Sequence, residues 1–222
     1  MFKFRRLTTL LSVTFIAMAA LPMALVITLS SQTALKKNEE ASGTALSMLA
    51  DSTLDILYRS LFERYGDVQA FAMNPTAIAM NAADLKVLAN AYTDLYDCYD
   101  LMIVTDTEGN IVATNTTDFA GKPLPAAQEM VGKSLATETW LAAALRPGVG
   151  PTYYTDVEVN PVIAKACGTT GEVLRFSAPI RRDGKVVGLW TNYASWQRIV
   201  KKSSEQATLP LKDDGILLTL LD

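Results

Sequence analysis

From Leu7 to Leu35 the chain runs for 29 residues without a charge. About 20 apolar residues in helix cross the hydrocarbon core of a bilayer. The stretch Leu7 to Leu29 meets that length by itself. Lys3, Arg5 and Arg6 stand just before it, and Lys36 and Lys37 follow, with Glu39 and Glu40 close behind. The basic bias places the N-terminus in the cytoplasm by the positive-inside rule. No second span of that length follows, so the remainder is expected on the far side, in the periplasm of a Gram-negative cell. The rival reading is a cleaved signal peptide, for which Ala17-Met18-Ala19 has the small-x-small form. Apolar sequence continues well beyond it, too far for a signal core, so a retained single-pass anchor is expected.

Residues 36 to 222 suffice for one good core and part of a second unit. Net charge is −3, with no basic block beyond the N-terminal tip, which argues against nucleic acid as a partner. Histidine is absent. That removes Ser-His-Asp and Cys-His catalysis, His-ligated metal and a phosphoaccepting histidine from this chain. No spacing of carboxylates or nucleophiles forms a catalytic constellation, so no enzyme activity, metal or cofactor is expected. Cys98 and Cys167 form an even pair in an oxidising compartment, which points to a disulfide closing a loop of about 70 residues; two free thiols are the alternative.

After the anchor, Leu46, Leu49, Ile56, Leu57, Leu61, Tyr65, Val68 and Phe71 recur mostly three and four apart. This predicts a long stalk helix that breaks near Asn74-Pro75. Residues 82 to 96 continue as helix. The period then changes. Tyr99 to Thr105 and Ile111 to Asn115 are strand-like and flank the turn sequence Asp106-Thr107-Glu108-Gly109-Asn110. Residues 131 to 145 read as a short helix with Ser134 as its cap, ended by Arg146-Pro147-Gly148. Thr152 to Val157, Val173 to Ile180 and Val186 to Tyr193 are three more strands, the last two joined through Asp183-Gly184. Ser195 to Thr208 reads as helix, interrupted at Pro210. Gly215 to Leu221 is strongly apolar and reads as the truncated start of a further segment. The fold class is α+β, with about five antiparallel strands and helices on one face. The expected divisions are 1–6 cytoplasmic tip, 7–29 transmembrane helix, 30–80 helical stalk, 81–200 sensor domain and 201–222 linker. The stripe along the stalk predicts a parallel homodimer.

Three strings, in this order, carry a resemblance. Leu61-Phe62-Glu63-Arg64-Tyr65-Gly66-Asp67-Val68-Gln69-Ala70-Phe71 is the first. Tyr99-Asp100-Leu101-Met102-Ile103-Val104-Thr105-Asp106 with Gly109 and Ala113-Thr114-Asn115 is the second. Phe176-Ser177-Ala178-Pro179-Ile180 with Gly184, Val187-Gly188 and Trp190-Thr191-Asn192-Tyr193 is the third. Together they resemble the extracytoplasmic Cache (PAS-like) sensor region of bacterial methyl-accepting chemotaxis proteins, over residues 1 to roughly 200. The resemblance implies a five-stranded PAS-like sheet, a small-molecule ligand and a signal passed through the stalk and the membrane helix. The same sensor fronts histidine kinases and nucleotide cyclases, and a stand-alone tethered binding module is a further alternative.

In amino-acid-sensing members of that family a Tyr, an Arg-x-Trp pair, a second Tyr and an Asp line one pocket. The resemblance places Trp140, Tyr153, Tyr154 and Asp156 there, with Glu138 where the Arg would stand. A carboxylate at that point favours a cation or amine, aided by aromatic faces. Large aromatics are more often core residues, and Glu138 is equally readable as exposed. Arg175 either faces the pocket and takes an anion or points to solvent. Asn192 shares a face with Trp190 and is the pocket candidate of the last strand.

Overall fold

The computed structural model describes residues 2–146 and 152–212, and side chains for 9–146 and 152–209. The apolar run at 215–221 and the expected stop at Pro147 and Gly148 lie outside the described residues. Two compact units divide the chain, Met1–Ser52 and Thr53–Asp222.

The first helix, α1 (Phe2–Ala72), contains Pro22 and is long and apolar enough to cross a membrane. Its side chains from Leu10 to Leu29 are exposed. Thr14, Thr28 and Thr33 each donate a hydroxyl to the carbonyl four residues back, at 3.0, 3.0 and 2.9 Å. That satisfies these hydroxyls within the helix, as a membrane-crossing helix requires.

The second unit begins inside α1. Leu57, Leu61, Tyr65, Val68 and Phe71 pack on the sheet, so this stretch of helix is part of the core. Asn74 ends the run as predicted. Its side chain accepts the Thr76 amide and caps α2 (Pro75–Ala79). Asn81 caps α3 (Ala82–Leu95) in the same way.

The sheet comprises β1 (Tyr99–Thr105), β2 (Ile111–Thr114), β3 (Tyr153–Tyr154), β4 (Glu158–Val159), β5 (Glu172–Arg182) and β6 (Lys185–Ser195). All described pairings are antiparallel, in the order β2-β1-β6-β5-β3, with β4 also on β5. The strand expected at 152–157 is reduced to Tyr153–Tyr154, and β4 lies just beyond it. Three short helices cross the second face: α4 (Pro125–Gln128), α5 (Thr139–Leu145) and α6 (Pro161–Cys167). Helices thus cover both faces rather than one. The physical reason shows in β1, where all seven residues are buried and no polar face remains to meet water.

One face holds Met102, Val104, Leu174, Phe176, Ala178, Ile180 and Trp190 beneath α1 and α3. Phe71 is its hub, stacked on Tyr92 at 3.9 Å and edge-on to Trp190 at 6.0 Å. The other face holds Leu101, Ile103, Val173 and Tyr193 beneath α4 and α6. Leu189 lies on the same face beneath α5, against Trp140, Leu141 and Ala144.

Two expectations change. The helix predicted from 131 starts at Thr139, with Glu138 as its cap residue. Ser134 instead bridges Asn110, and its hydroxyl accepts the Ala136 amide. The cysteines are free. Cys98 packs in the α1-side core, its sulfur 2.7 Å from the Arg64 guanidinium. Cys167 packs on the other face and donates to the Asp100 carbonyl at 3.4 Å. The sheet lies between them.

The last helix, α7 (Trp196–Lys212), is tied to β1 through Arg198, which pairs with the buried Asp100 carboxylate at 2.6 Å. Asp100 is the extra residue of a bulge between Tyr99 and Leu101, and that bulge puts these two neighbours into opposite cores.

Removing the hub ring, Phe71→Ala, should destabilise the fold by about 3–5 kcal/mol in urea denaturation. Burial raises both thiols, Cys98 despite Arg64 and Cys167 up to about 12. Both therefore stay protonated at neutral pH. Iodoacetamide at pH 8 should alkylate the native protein at least about tenfold more slowly than the unfolded chain, and reductant should leave electrophoretic mobility unchanged.

Candidate binding site

The β5–β6 hairpin turns at Asp183 and Gly184, with φ of 51° and 77°, the geometry of a two-residue turn matched to strand twist. It pairs Arg182 with Lys185 and Arg181 with Val186. The register then slips, Val187 being the extra residue, and Ile180 pairs with Gly188. A Cβ at Gly188 would lie 2.4 Å from the Thr105 carbonyl oxygen, so only glycine permits the approach of β1 there.

Beyond the slip, Arg175 faces Tyr193 and Ser177 faces Thr191. The rows continue sideways, Tyr193 to Leu101 and Ser177 to Tyr153. The Ser177 and Thr191 hydroxyls are hydrogen-bonded at 3.0 Å, both buried. Trp140, on α5, covers this floor.

Arg175 is the centre of the arrangement. It is only 5% exposed. Its guanidinium carbon lies 4.3 Å from the centroid of Trp140 and 5.4 Å from that of Tyr193. Nη2 pairs with the half-exposed Glu158 carboxylate. Nε is buried and without a hydrogen-bond partner among the described residues. A guanidinium carries five N–H donors, and burying one unmet is costly, so the group holds spare capacity for an acceptor. The Arg175 amide and carbonyl bind Thr155, at 3.3 and 3.1 Å, which ties the segment carrying Glu158 to the same strand. Burial raises the Tyr193 phenol above its ordinary pKa, and the adjacent Arg175 charge opposes that rise.

Of the residues expected to form one site, Trp140, Tyr153 and Arg175 come together on this face. Glu138 is exposed at the start of α5. Tyr154 and Asp156 line a groove beside Phe176, on the α1 side of the sheet. Asn192 is also on that side, buried, and accepts the Trp190 indole N–H at 2.8 Å. The set expected to enclose a cation is therefore divided between two faces. Tyr193, Ser177, Thr191 and Glu158 are the additions. The alternation of Val173, Arg175 and Ser177 along β5 was the signal for Ser177; Tyr193 needed the register slip.

No protein-family model and no curated protein matches the sequence. Solved structures do match. The sensor domain of the Vibrio cholerae histidine kinase DctB superposes with a TM-score of 0.51 and 11% identity, over 72% of this chain and 57% of that one. The sensor domain of Escherichia coli DcuS has a TM-score of 0.45 and 13% identity, over 68% and 96%. The ligand-binding domain of the Pseudomonas fluorescens chemoreceptor CtaA, solved with L-serine, has a TM-score of 0.47 and 18% identity, over 68% and 58%. The chain thus spans a little over half of the DctB sensor domain. At these identities the likeness is one of fold, and the fold is that of a PAS-like Cache sensor domain.

Replacing the central cation with an apolar side chain of similar length, Arg175→Met, should raise the Tyr193 pKa further, because the charge opposing its burial is removed. Carbon-13 NMR titration of labelled tyrosine measures this; an unchanged or lower value means that Arg175 does not act on Tyr193.

Proposed function

We propose that this chain is the extracytoplasmic ligand-sensing part of a bacterial chemoreceptor. Residues 7–29 anchor it in the cytoplasmic membrane with the N-terminus inside, and its ligand is a small carboxylate-bearing molecule. The observation that carries the ligand class is the buried Arg175 guanidinium, stacked on Trp140 with an unmet Nε. A carboxylate matches that fork of donors. The expectation of a cation rested on Glu138 and Asp156 flanking the aromatic rings together; Glu138 is exposed at the start of α5, and Asp156 lines the groove on the opposite face.

Glu158 holds the place a ligand would take. A bound carboxylate displaces it from Arg175 and frees the segment after β3. The Ser177 and Thr191 hydroxyls and the Tyr153 phenol then stand within the same row to select among carboxylates. Signal leaves through elements fixed to the sheet, and α7 is one of them, by the Arg198–Asp100 pair. Leu35, Leu46 and Leu54 are exposed along α1. A parallel homodimer would cover them. A second reading, the front of a histidine kinase, is favoured by the likeness to the DctB sensor domain.

The test is a thermal-unfolding screen of the full chain in phosphatidylglycerol nanodiscs against small mono- and dicarboxylates, amino acids and amines. A true ligand at a hundredfold excess over Kd should add about 2.7 kcal/mol of stability. Arg175→Ala should abolish the response. Glu158→Gln should tighten binding about fivefold, the effect of removing a half-exposed competing ion pair. Stabilisation by amines alone that survives in Arg175→Ala would sink the carboxylate reading. Loss of taxis toward the identified ligand in a deletion strain separates chemoreceptor from kinase.

A further inference from the structure

The sheet face opposite Arg175 bears a second opening, a groove of about 400 Å³ between α1 and the β3 edge. That volume is within the range of small-molecule sites. Five aromatic rings line it: Tyr58, Phe62 and Tyr65 from α1, Tyr154 from β3 and Phe176 from β5. Asp156 is its one charged lining residue among those described. Tyr65 is a corner of the groove, stacked on Phe62 at 6.3 Å and edge-on to Tyr154 at 6.3 Å. The Thr152 hydroxyl donates to the Tyr65 carbonyl at 3.1 Å and fixes the strand edge to the helix.

These rings are not simply core. Tyr58, Phe62 and Tyr154 are 71%, 75% and 62% exposed, an unusual clustering of aromatic surface. Aromatic faces carry negative electrostatic potential, and Asp156 adds a full negative charge at the rim. No basic side chain offsets either among the described lining residues. An anion is repelled here, and a small metal ion finds a single carboxylate and would have to shed its water. The occupant such a surface suits is a weakly hydrated organic cation, which gains from the rings and from the carboxylate together.

We propose that this groove binds a small quaternary ammonium ion, on the face of the sheet away from Arg175 and independently of the carboxylate site. The alternation of β3 separates the two sites: Tyr153 pairs with Ser177 on one face, Tyr154 with Phe176 on the other. One edge of the sheet thus serves two sites of opposite charge preference.

The experiment is calorimetric titration of the full chain in phosphatidylglycerol nanodiscs, with empty discs as reference. The probes are choline and its neutral isostere 3,3-dimethylbutan-1-ol. Choline should bind saturably, one per chain, and the isostere about tenfold or more weakly. Asp156→Asn and Tyr154→Ala should each weaken choline about tenfold while unfolding at the wild-type temperature, since both side chains are exposed. Equal affinity for the two probes, undiminished choline binding in both variants, or no saturable heat would overturn the proposal. So would a dimer that Phe62→Ala dissociates and choline does not, because a second copy then fills the groove.

Discussion

The arrangement of the Arg175 site depends on one extra residue in a β-ladder. Between Arg181 and Ile180 the pairing of β5 with β6 slips by one, around Val187 and Gly188. Because side chains alternate across a strand, a slip of one residue exchanges the two faces of everything beyond it. Without it, the tight turn at Asp183-Gly184 would set Arg175 opposite Asn192. With it, Arg175 stands opposite Tyr193, and the indole-bound Asn192 is turned into the α1-side core. Gly188 permits the slip, since β1 passes too close there for any side chain.

The consequence is a sheet with two chemically different sides. The α1 side is aromatic and apolar, built around Phe71. The other side carries Arg175, Ser177, Thr191 and Tyr193 among aliphatic residues, all nearly buried. Buried polar groups are tolerated when paired. Ser177 and Thr191 pair with one another, and Arg175 is met by two rings and by Glu158. The Arg175 Nε remains unmet, beneath the Trp140 ring of α5. A buried polar cluster left incomplete is where a ligand contributes most.

A second bulge, at Asp100, performs a related task near the start of β1. It drives Tyr99 into the α1-side core, where its hydroxyl donates to Asp67 at 2.8 Å, and leaves the Asp100 carboxylate for Arg198 and Thr169. Removing one partner of such a buried pair costs far more than the pair contributes over apolar residues of the same size. The pair therefore sets position more than stability. It holds α7 in register with the strand that neighbours the Arg175 row.

Much of the architecture was legible in the residues. The uncharged run 7–35, the Asn74-Pro75 break, the period change at Tyr99 and the Asp183-Gly184 turn are local signals, and each element they predicted is present. The short helix α6 was legible too, in Asn160-Pro161 and Gly168, which cap its two ends, but it passed unread. The site was legible only in part. Trp140, Tyr153 and Arg175 could be nominated by residue type, whereas their grouping, the exclusion of Asn192 and the parting of Tyr154 and Asp156 from them followed from register. Periodicity and turn chemistry act over a few residues, so sequence alone determined most of the helical and strand segments and which helix is apolar enough to cross a membrane. Register and facing are set where distant strands meet, by a bulge and by the close passage of β1 over Gly188, and only the tertiary structure decided them.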